Sequence, residues 1–242
     1  MTPKSPGARL LAAAGYARQG KFIADVGTDH AYLPVYLAEA GVSAGAVATD
    51  INRGPLERAA ANVAAAGLSD KITLRLADGL DGVEAFCPED IFILGMGGEL
   101  IARILGNSDY IKNENIRLIL QPMTRQAALR RFLLDSGFLI EDERLVLGDG
   151  GRIYQIICAH WDGVRRSAAE AALAVGAINL SRGGELLGEY TARLARELRV
   201  SADGKRRGGD TAAADADEEA ARRLLAGGAY SYYETWRSLR GA

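Results

Sequence analysis

A carboxylate, an imidazole and a phenol stand within four consecutive residues of this chain: Asp29, His30 and Tyr32, with Ala31 between them. They belong to the decamer Asp25-Val26-Gly27-Thr28-Asp29-His30-Ala31-Tyr32-Leu33-Pro34. The apolar run Phe22-Ile23-Ala24 before it fits the end of a buried strand, and Gly27 frees the backbone to approach a ligand closely. Pro34 suits the first position of a helix that Val35 to Ala38 continue. The decamer is therefore expected to form a loop between strand and helix, in the crevice where open α/β sheets bind ligands. Such a loop has the makings of a reaction site. The plainer alternatives are a turn-forming Asp29 that bonds its own backbone and a capping or core His30.

Further polar or glycine residues end successive apolar runs. Asp50 stands where a carboxylate can accept bonds from ribose hydroxyls, with Ile51 beside it. Asp78-Gly79 can hold the amino edge of an adenine, Gly95-Met96-Gly97-Gly98 ends the fourth run, and Gln121-Pro122-Met123 ends the fifth. Each alone could be a turn, but parallel strands bring all their carboxyl ends to one edge. The ligand implied is S-adenosylmethionine rather than a dinucleotide. Gly27 is followed by Thr28-Asp29-His30, without the second glycine of a pyrophosphate loop. Asp29 would repel a pyrophosphate, whereas Asp25 and Asp29 suit a cationic sulfonium.

These residues require elements to position them. Strands are expected at Phe22–Val26, Gly45–Asp50, Ile72–Ala77, Asp90–Leu94 and Ile116–Leu120. Helices are expected at 6–18, Pro34–Ala40, Pro55–Gly67, Glu99–Leu105 and Thr124–Ser136, the last capped by Thr124. Phe138–Leu147 and Arg152–Ala159 read as a hairpin across Gly-Asp-Gly-Gly at 148–151. Alternating elements closed by a reversed pair imply a doubly wound α/β sheet of seven strands, and with its reversed final pair this arrangement resembles the class I (Rossmann-like) methyltransferase fold. The domain boundaries expected are 1–162 for this part and 163–242 for a C-terminal helical, coiled-coil-like domain. Its helices, about 165–200 and 215–240, flank Gly204–Gly209 and an Ala/Asp run.

Of the 242 residues, 48% are hydrophobic, enough for a sizeable core, and the net charge of −2 gives no global signal for nucleic acid. Local patches exist: Lys4, Arg9, Arg18 and Lys21 precede any acid, and Arg193, Arg196, Arg199 and Lys205 to Arg207 cluster in the tail. Cys87 and Cys158 have no CxxC spacing and only two histidines accompany them, so no metal is expected. No apolar run reaches the roughly 18 residues a membrane helix needs, and no signal segment opens the chain, so a cytoplasmic protein is expected.

Six stretches carry a more specific likeness: the decamer Asp25 to Pro34, Arg53-Gly-Pro55, Asp78-Gly-Leu80, Ile93-Leu-Gly-Met-Gly-Gly98, Leu118-Ile-Leu-Gln-Pro122 and Gly151-Arg-Ile-Tyr154. From about Arg9 to Ile157 the chain resembles the TrmK family of bacterial tRNA (adenine-N1)-methyltransferases, which act on adenosine 22 of tRNA. The resemblance implies a class I domain followed by a helical one. It implies that Asp25, Gly27, Asp50, Asp78 and Gly95 line the methyl-donor pocket, and Ile51, Gly79 and Met96 are counted with them. Asp29 and His30 would face the target adenine, and Arg9 would touch substrate; Tyr32, Gly97 and Gln121 complete the expected substrate side. Adenine N1 owns a lone pair and needs no base, so the expected task is aim, with Asp29 favouring the developing cation and His30 orienting or stacking. A class I methyltransferase acting on a small molecule, with the tail as lid, is one alternative. A non-catalytic module binding the donor or RNA is another. Monomer and homodimer stay open.

Overall fold

The computed structural model describes residues 6–226. The chain divides after Arg166 into two compact units. In the first, strands β1 (Phe22–Val26), β2 (Gly45–Asp50), β3 (Ile72–Leu76), β4 (Asp90–Gly97), β5 (Arg117–Thr124), β6 (Phe138–Leu147) and β7 (Ile153–Trp161) form one sheet in the order β3-β2-β1-β4-β5-β7-β6. β1 to β5 are parallel, and β7 runs antiparallel between β5 and β6. This is the doubly wound sheet with a reversed final pair that the order of elements implied.

The central strands are apolar because both faces are covered. Ile23, Phe92 and Ile119 point to a core shared with α1 (Ala8–Ala14), α2 (Tyr32–Glu39) and α3 (Arg53–Ala65). Ala24, Ile91, Ile93, Leu118 and Leu120 point to the opposite core, shared with α4 (Gly98–Gly106) and α5 (Gln126–Asp135). Next to β1 lies β2 on one side and β4 on the other, so the direction of winding reverses there. That reversal opens a crevice at the carboxyl ends of β1 and β4.

Several boundaries differ from expectation for local reasons. α1 covers Ala8–Ala14 rather than 6–18. Arg18 is drawn out of the helix by Asp90, which accepts from its backbone N and its Nε, both at 2.7 Å. α2 begins at Tyr32, two residues before Pro34, because the Thr28 hydroxyl accepts from Ala31 N (3.1 Å) and Ala31 takes the left-handed conformation (φ 55°). β4 continues through Gly95 and Met96 to Gly97, with two register shifts against β5. Thr124 ends β5 instead of capping α5; Arg125 turns the chain at φ 56°. That turn packs backbone to backbone on Gly98, where a Cβ would stand 2.4 Å from Arg125 O.

The second unit is helical: α6 (Glu170–Val175), α7 (Ala177–Arg182), α8 (Glu185–Arg207) and α9 (Thr211–Leu225). The single helix expected over 165–200 is divided by Gly176 and by Gly183-Gly184, all at positive φ. Gly204 lies inside α8, and the Ala/Asp run is helical rather than a break, because Asp210 caps α9 by accepting from Ala213 N (3.1 Å). α8 and α9 pair along fully buried alanines seven residues apart, Ala195 and Ala202 against Ala214 and Ala221. The heptad spacing is that of a coiled coil with a small-residue seam. The part of the expected 215–240 helix beyond 226 lies outside the described residues.

Candidate active site

The crevice holds a cavity of about 360 Å³, within the range of small-molecule sites. Arg9, Asp25, Gly27, Asp29, His30, Tyr32 and Gly95 from the expected set line it, with Leu10, Thr28, Ala31, Leu33 and Leu94. Asp25 is the buried charge among them, with 7% of its surface exposed. Burial pushes its carboxyl up to about 6, against the opposing pull of the Thr28 hydroxyl bond and the Arg9 charge, while Asp50 nearby raises it further. A buried carboxylate held this way gains from any cation that comes to lie against it.

Gly27 has φ +79°, and a Cβ there would stand 2.0 Å from Met96 Cε. The positive φ favours glycine, and the space where a side chain would begin is taken by the Met96 methyl. Gly27 and Thr28 each donate their backbone N–H to Thr49 O at 2.8 Å, which ties the loop to the end of β2. Next to that tie, Asp50 Oδ1 accepts from Asn52 N (2.8 Å), and Ile51 is exposed to 61%.

The bend after Thr28 brings the expected Asp29, His30 and Tyr32 together. His30 and Tyr32 stack with centroids 5.0 Å apart and planes 13° from parallel. His30 Nε2 stands 3.4 Å from Asp29 Oδ2. Asp29 does not bond its own backbone as a plain turn former would; Oδ1 accepts from Arg58 Nε (3.2 Å) and Arg58 Nη2. Nor is His30 a core residue: its side chain is 31% exposed, and its carbonyl accepts from Asn62 Nδ2 (2.9 Å).

The rear wall is organised by Gln121, which is fully buried. Its Oε1 accepts from Arg9 Nη1 (2.6 Å) and Gly95 N (3.1 Å), and its Nε2 reaches Met123 Sδ (3.4 Å). The Arg9 guanidinium also lies 5.8 Å from the Tyr154 ring centroid. Gln121 thus fixes Arg9 and the β4 turn without lining the cavity. Met96 lies across Gly27, and Gly97 sits against Thr124 at the start of α4. Asp78 and Gly79 do not join this cavity. They border a separate hollow of about 450 Å³ between the β3–β4 connection and α4, with Asp81, Glu84, Arg103 and Asp109 among its walls. Sequence reasoning missed Arg58 and Asn62, and it quoted Thr28 and Tyr154 within motifs without giving either a role. The spacing of Arg58 and Asn62 puts them on one face of α3, but nothing in the sequence said that this face meets the bend. Among the described residues, no group of three or more His, Cys, Asp and Glu stands where it could hold a metal ion.

Comparison with known proteins matches a methyltransferase-domain family to residues 7–157. A tRNA (adenine(22)-N1)-methyltransferase of Bacillus subtilis is 36% identical over 168 residues, covering 66% of this chain and 70% of that protein. This chain belongs to the TrmK family of tRNA (adenine(22)-N1)-methyltransferases. The crystal structure of the B. subtilis m1A22 tRNA methyltransferase TrmK superposes with a TM-score of 0.77 at 27% identity, covering 97% of this chain and 98% of that one. A Streptococcus pneumoniae protein assigned as a tRNA (m1A22) methyltransferase, solved with S-adenosyl-L-methionine, is 33% identical. It gives a TM-score of 0.77 over 90% of this chain and 98% of its own. The TrmK likeness therefore spans both units. No helix among the described residues is long and apolar enough to cross a membrane.

Proposed function

We propose that this protein transfers a methyl group from S-adenosylmethionine to N1 of adenosine 22 in tRNA, and so acts in the cytoplasm. The observation that carries the reading is the cavity at the winding reversal, where the buried Asp25 carboxylate, the glycine floor and the Asp29–His30–Tyr32 bend meet. The activity named for the B. subtilis relative and the ligand of the S. pneumoniae structure support it. The residues fit the donor: a carboxylate held at about 6 gains from a cation, and Gly27 and Gly95 line the cavity without side chains of their own.

When bound, S-adenosylmethionine supplies a methyl group made electrophilic by its sulfonium. Asp25 faces that cationic ligand, Gly27 and Gly95 let the backbone come close, and Asp50 with the exposed Ile51 offers an acceptor and an apolar surface for the nucleoside part. Met96, which lies across Gly27, is proposed as the outer wall for the adenine, while Asp78 and Gly79 face the neighbouring hollow. Asp29 accepts from the exocyclic amine of the target base and favours the positive charge that develops on it. The stacked, nearly parallel His30 and Tyr32 rings extend a ring stack onto which a purine can add. Arg9, held by Gln121 and packed on Gly95, contacts substrate from α1, and Gly97, packed on Thr124, is assigned to the substrate side with it. N1 lies on the Watson–Crick edge, so the base must leave its stack, at a cost of about a few kcal/mol. Positioning can then supply up to roughly 7–11 kcal/mol of the acceleration.

The test is incubation with labelled donor and unmodified bacterial tRNA transcripts, followed by mapping of reverse-transcription stops. Label confined to transcripts that carry adenosine 22 is expected. Label only in small metabolites, tight donor binding without transfer, or undiminished labelling after adenosine 22 is replaced by guanosine would each refute the proposal.

A further inference from the structure

One face of α3 grips the reactive bend. Arg58 and Asn62 stand one turn apart, and both reach it: Arg58 through the Asp29 side chain, Asn62 through the His30 carbonyl. The guanidinium places two donors, Nε and Nη2, on the same oxygen, Asp29 Oδ1. The other oxygen, Oδ2, has His30 Nε2 at 3.4 Å and is the one left to receive a substrate amine. Asp29 is 63% exposed and Arg58 49%, and pairs this exposed contribute little to stability. What the guanidinium adds is direction: two donors converging on Oδ1 hold that oxygen against α3 more narrowly than a single ammonium would, and Oδ2 stays the oxygen that faces no donor of Arg58.

We infer that Arg58 is a positioning residue for methyl transfer: it holds Asp29 so that Oδ2 is aimed at the exocyclic amine of the target adenine. The inference rests on the proposed role of Asp29. Charge and direction pull opposite ways here. The Arg58 cation offsets the Asp29 field at the base, so its removal strengthens that field while releasing the aim. If aim dominates, the rate falls; if field dominates, it rises. Misplacement of a reacting group by about 1 Å can cost as much as ~100-fold, which is why aim should win.

The experiment measures single-turnover methylation of tRNA at saturating donor, with KM for tRNA and its salt dependence, on the full chain. Arg58→Ala should lower the rate at saturating tRNA by about tenfold or more, with KM for tRNA changed by less than about threefold. Donor affinity and melting temperature should match wild type. Arg58→Lys, which keeps the charge and loses the fork, should stay within about threefold of the alanine variant. Adding Arg58→Ala to Asp29→Asn should cost nothing beyond the single Asp29→Asn loss. Wild-type rates in Arg58→Lys, a loss that multiplies in the double variant, or a raised KM with a shallower salt slope would overturn the inference and make Arg58 a direct RNA contact. Wild-type turnover in Asp29→Asn would instead remove the role given to Asp29 itself, so the two failures are told apart.

Discussion

Asp25→Asn should make the donor-free protein more stable while removing its capacity to hold the donor. The carboxyl is buried and its pKa is raised from 3.8 to about 6 chiefly by that burial. A group whose folded pKa lies above its unfolded value carries no penalty at low pH, where it is protonated in both states. The penalty grows as pH rises from 3.8 through about 6 and is complete above that. A difference of that size corresponds to about 3 kcal/mol at pH 7 as an upper bound. Asparagine keeps an acceptor for the Thr28 hydroxyl and carries no charge to bury, so it should recover much of this. For a unit of this size each kcal/mol moves Tm by roughly 2–4 °C, so a rise of up to about 6–12 °C is expected at pH 7.5. Melts without donor at pH 7.5 and pH 5, with calorimetric titration of S-adenosylmethionine, provide the check. The gap between variant and wild type should narrow at pH 5, where the wild-type carboxyl is largely protonated. A variant that melts at or below wild type at pH 7.5, or that binds the donor normally, would refute both the burial argument and the placement of the cationic ligand.

Donor affinity of the wild type should itself fall below about pH 6, by up to about tenfold per pH unit, as Asp25 takes up a proton; calorimetry across pH 5–7.5 tests this, and a flat profile would contradict it. Gly27→Ala should destabilise by about 1–2 kcal/mol in urea titrations because of its positive φ, and should abolish donor binding; adding Met96→Ala should remove the collision and leave the backbone cost. Arg18→Ala should cost about 3 kcal/mol in urea, because it strips the side-chain partner from Asp90, which has no exposed surface; an unchanged midpoint would show that the backbone N–H of residue 18 suffices.

The sheet was legible because its central strands are buried on both faces and stand out as short apolar runs bounded by polar residues or glycine, as Ile91-Phe92-Ile93 after Asp90 and Leu118-Ile119-Leu120 between Arg117 and Gln121 show. The reversed pair was legible from its turn at 148–151. Ends were harder. Thr124 has the chemistry of a helix cap, but its place is decided by the close approach of Arg125 to Gly98, a contact between distant segments. Gly-Met-Gly-Gly looks like a loop and extends β4 instead, because pairing with β5 continues through the shifts in register. In the second unit the glycine content of 204–209 pointed to a break, whereas the Asp210 cap and the alanine seam set the helix boundaries. At the site, strand-end position revealed Asp25, Gly27 and the bend. It did not separate lining residues from supporting ones: Gln121 works from behind the wall, and Asp78 opens onto another hollow. Arg58 and Asn62 were invisible because helix spacing gives a face and not its neighbour.

Gln121 joins segments far apart in the chain, 112 positions from Arg9 and 26 from Gly95. The rear wall therefore does not exist in any early, locally folded fragment; it is completed only when β5 has entered the sheet and the amino-terminal helix has docked across it. A ligand that needs this wall binds only chains in which these distant pairings have formed, and so draws the folding equilibrium toward them. Ligand capture and chain topology are in this way one property, secured by a single uncharged amide.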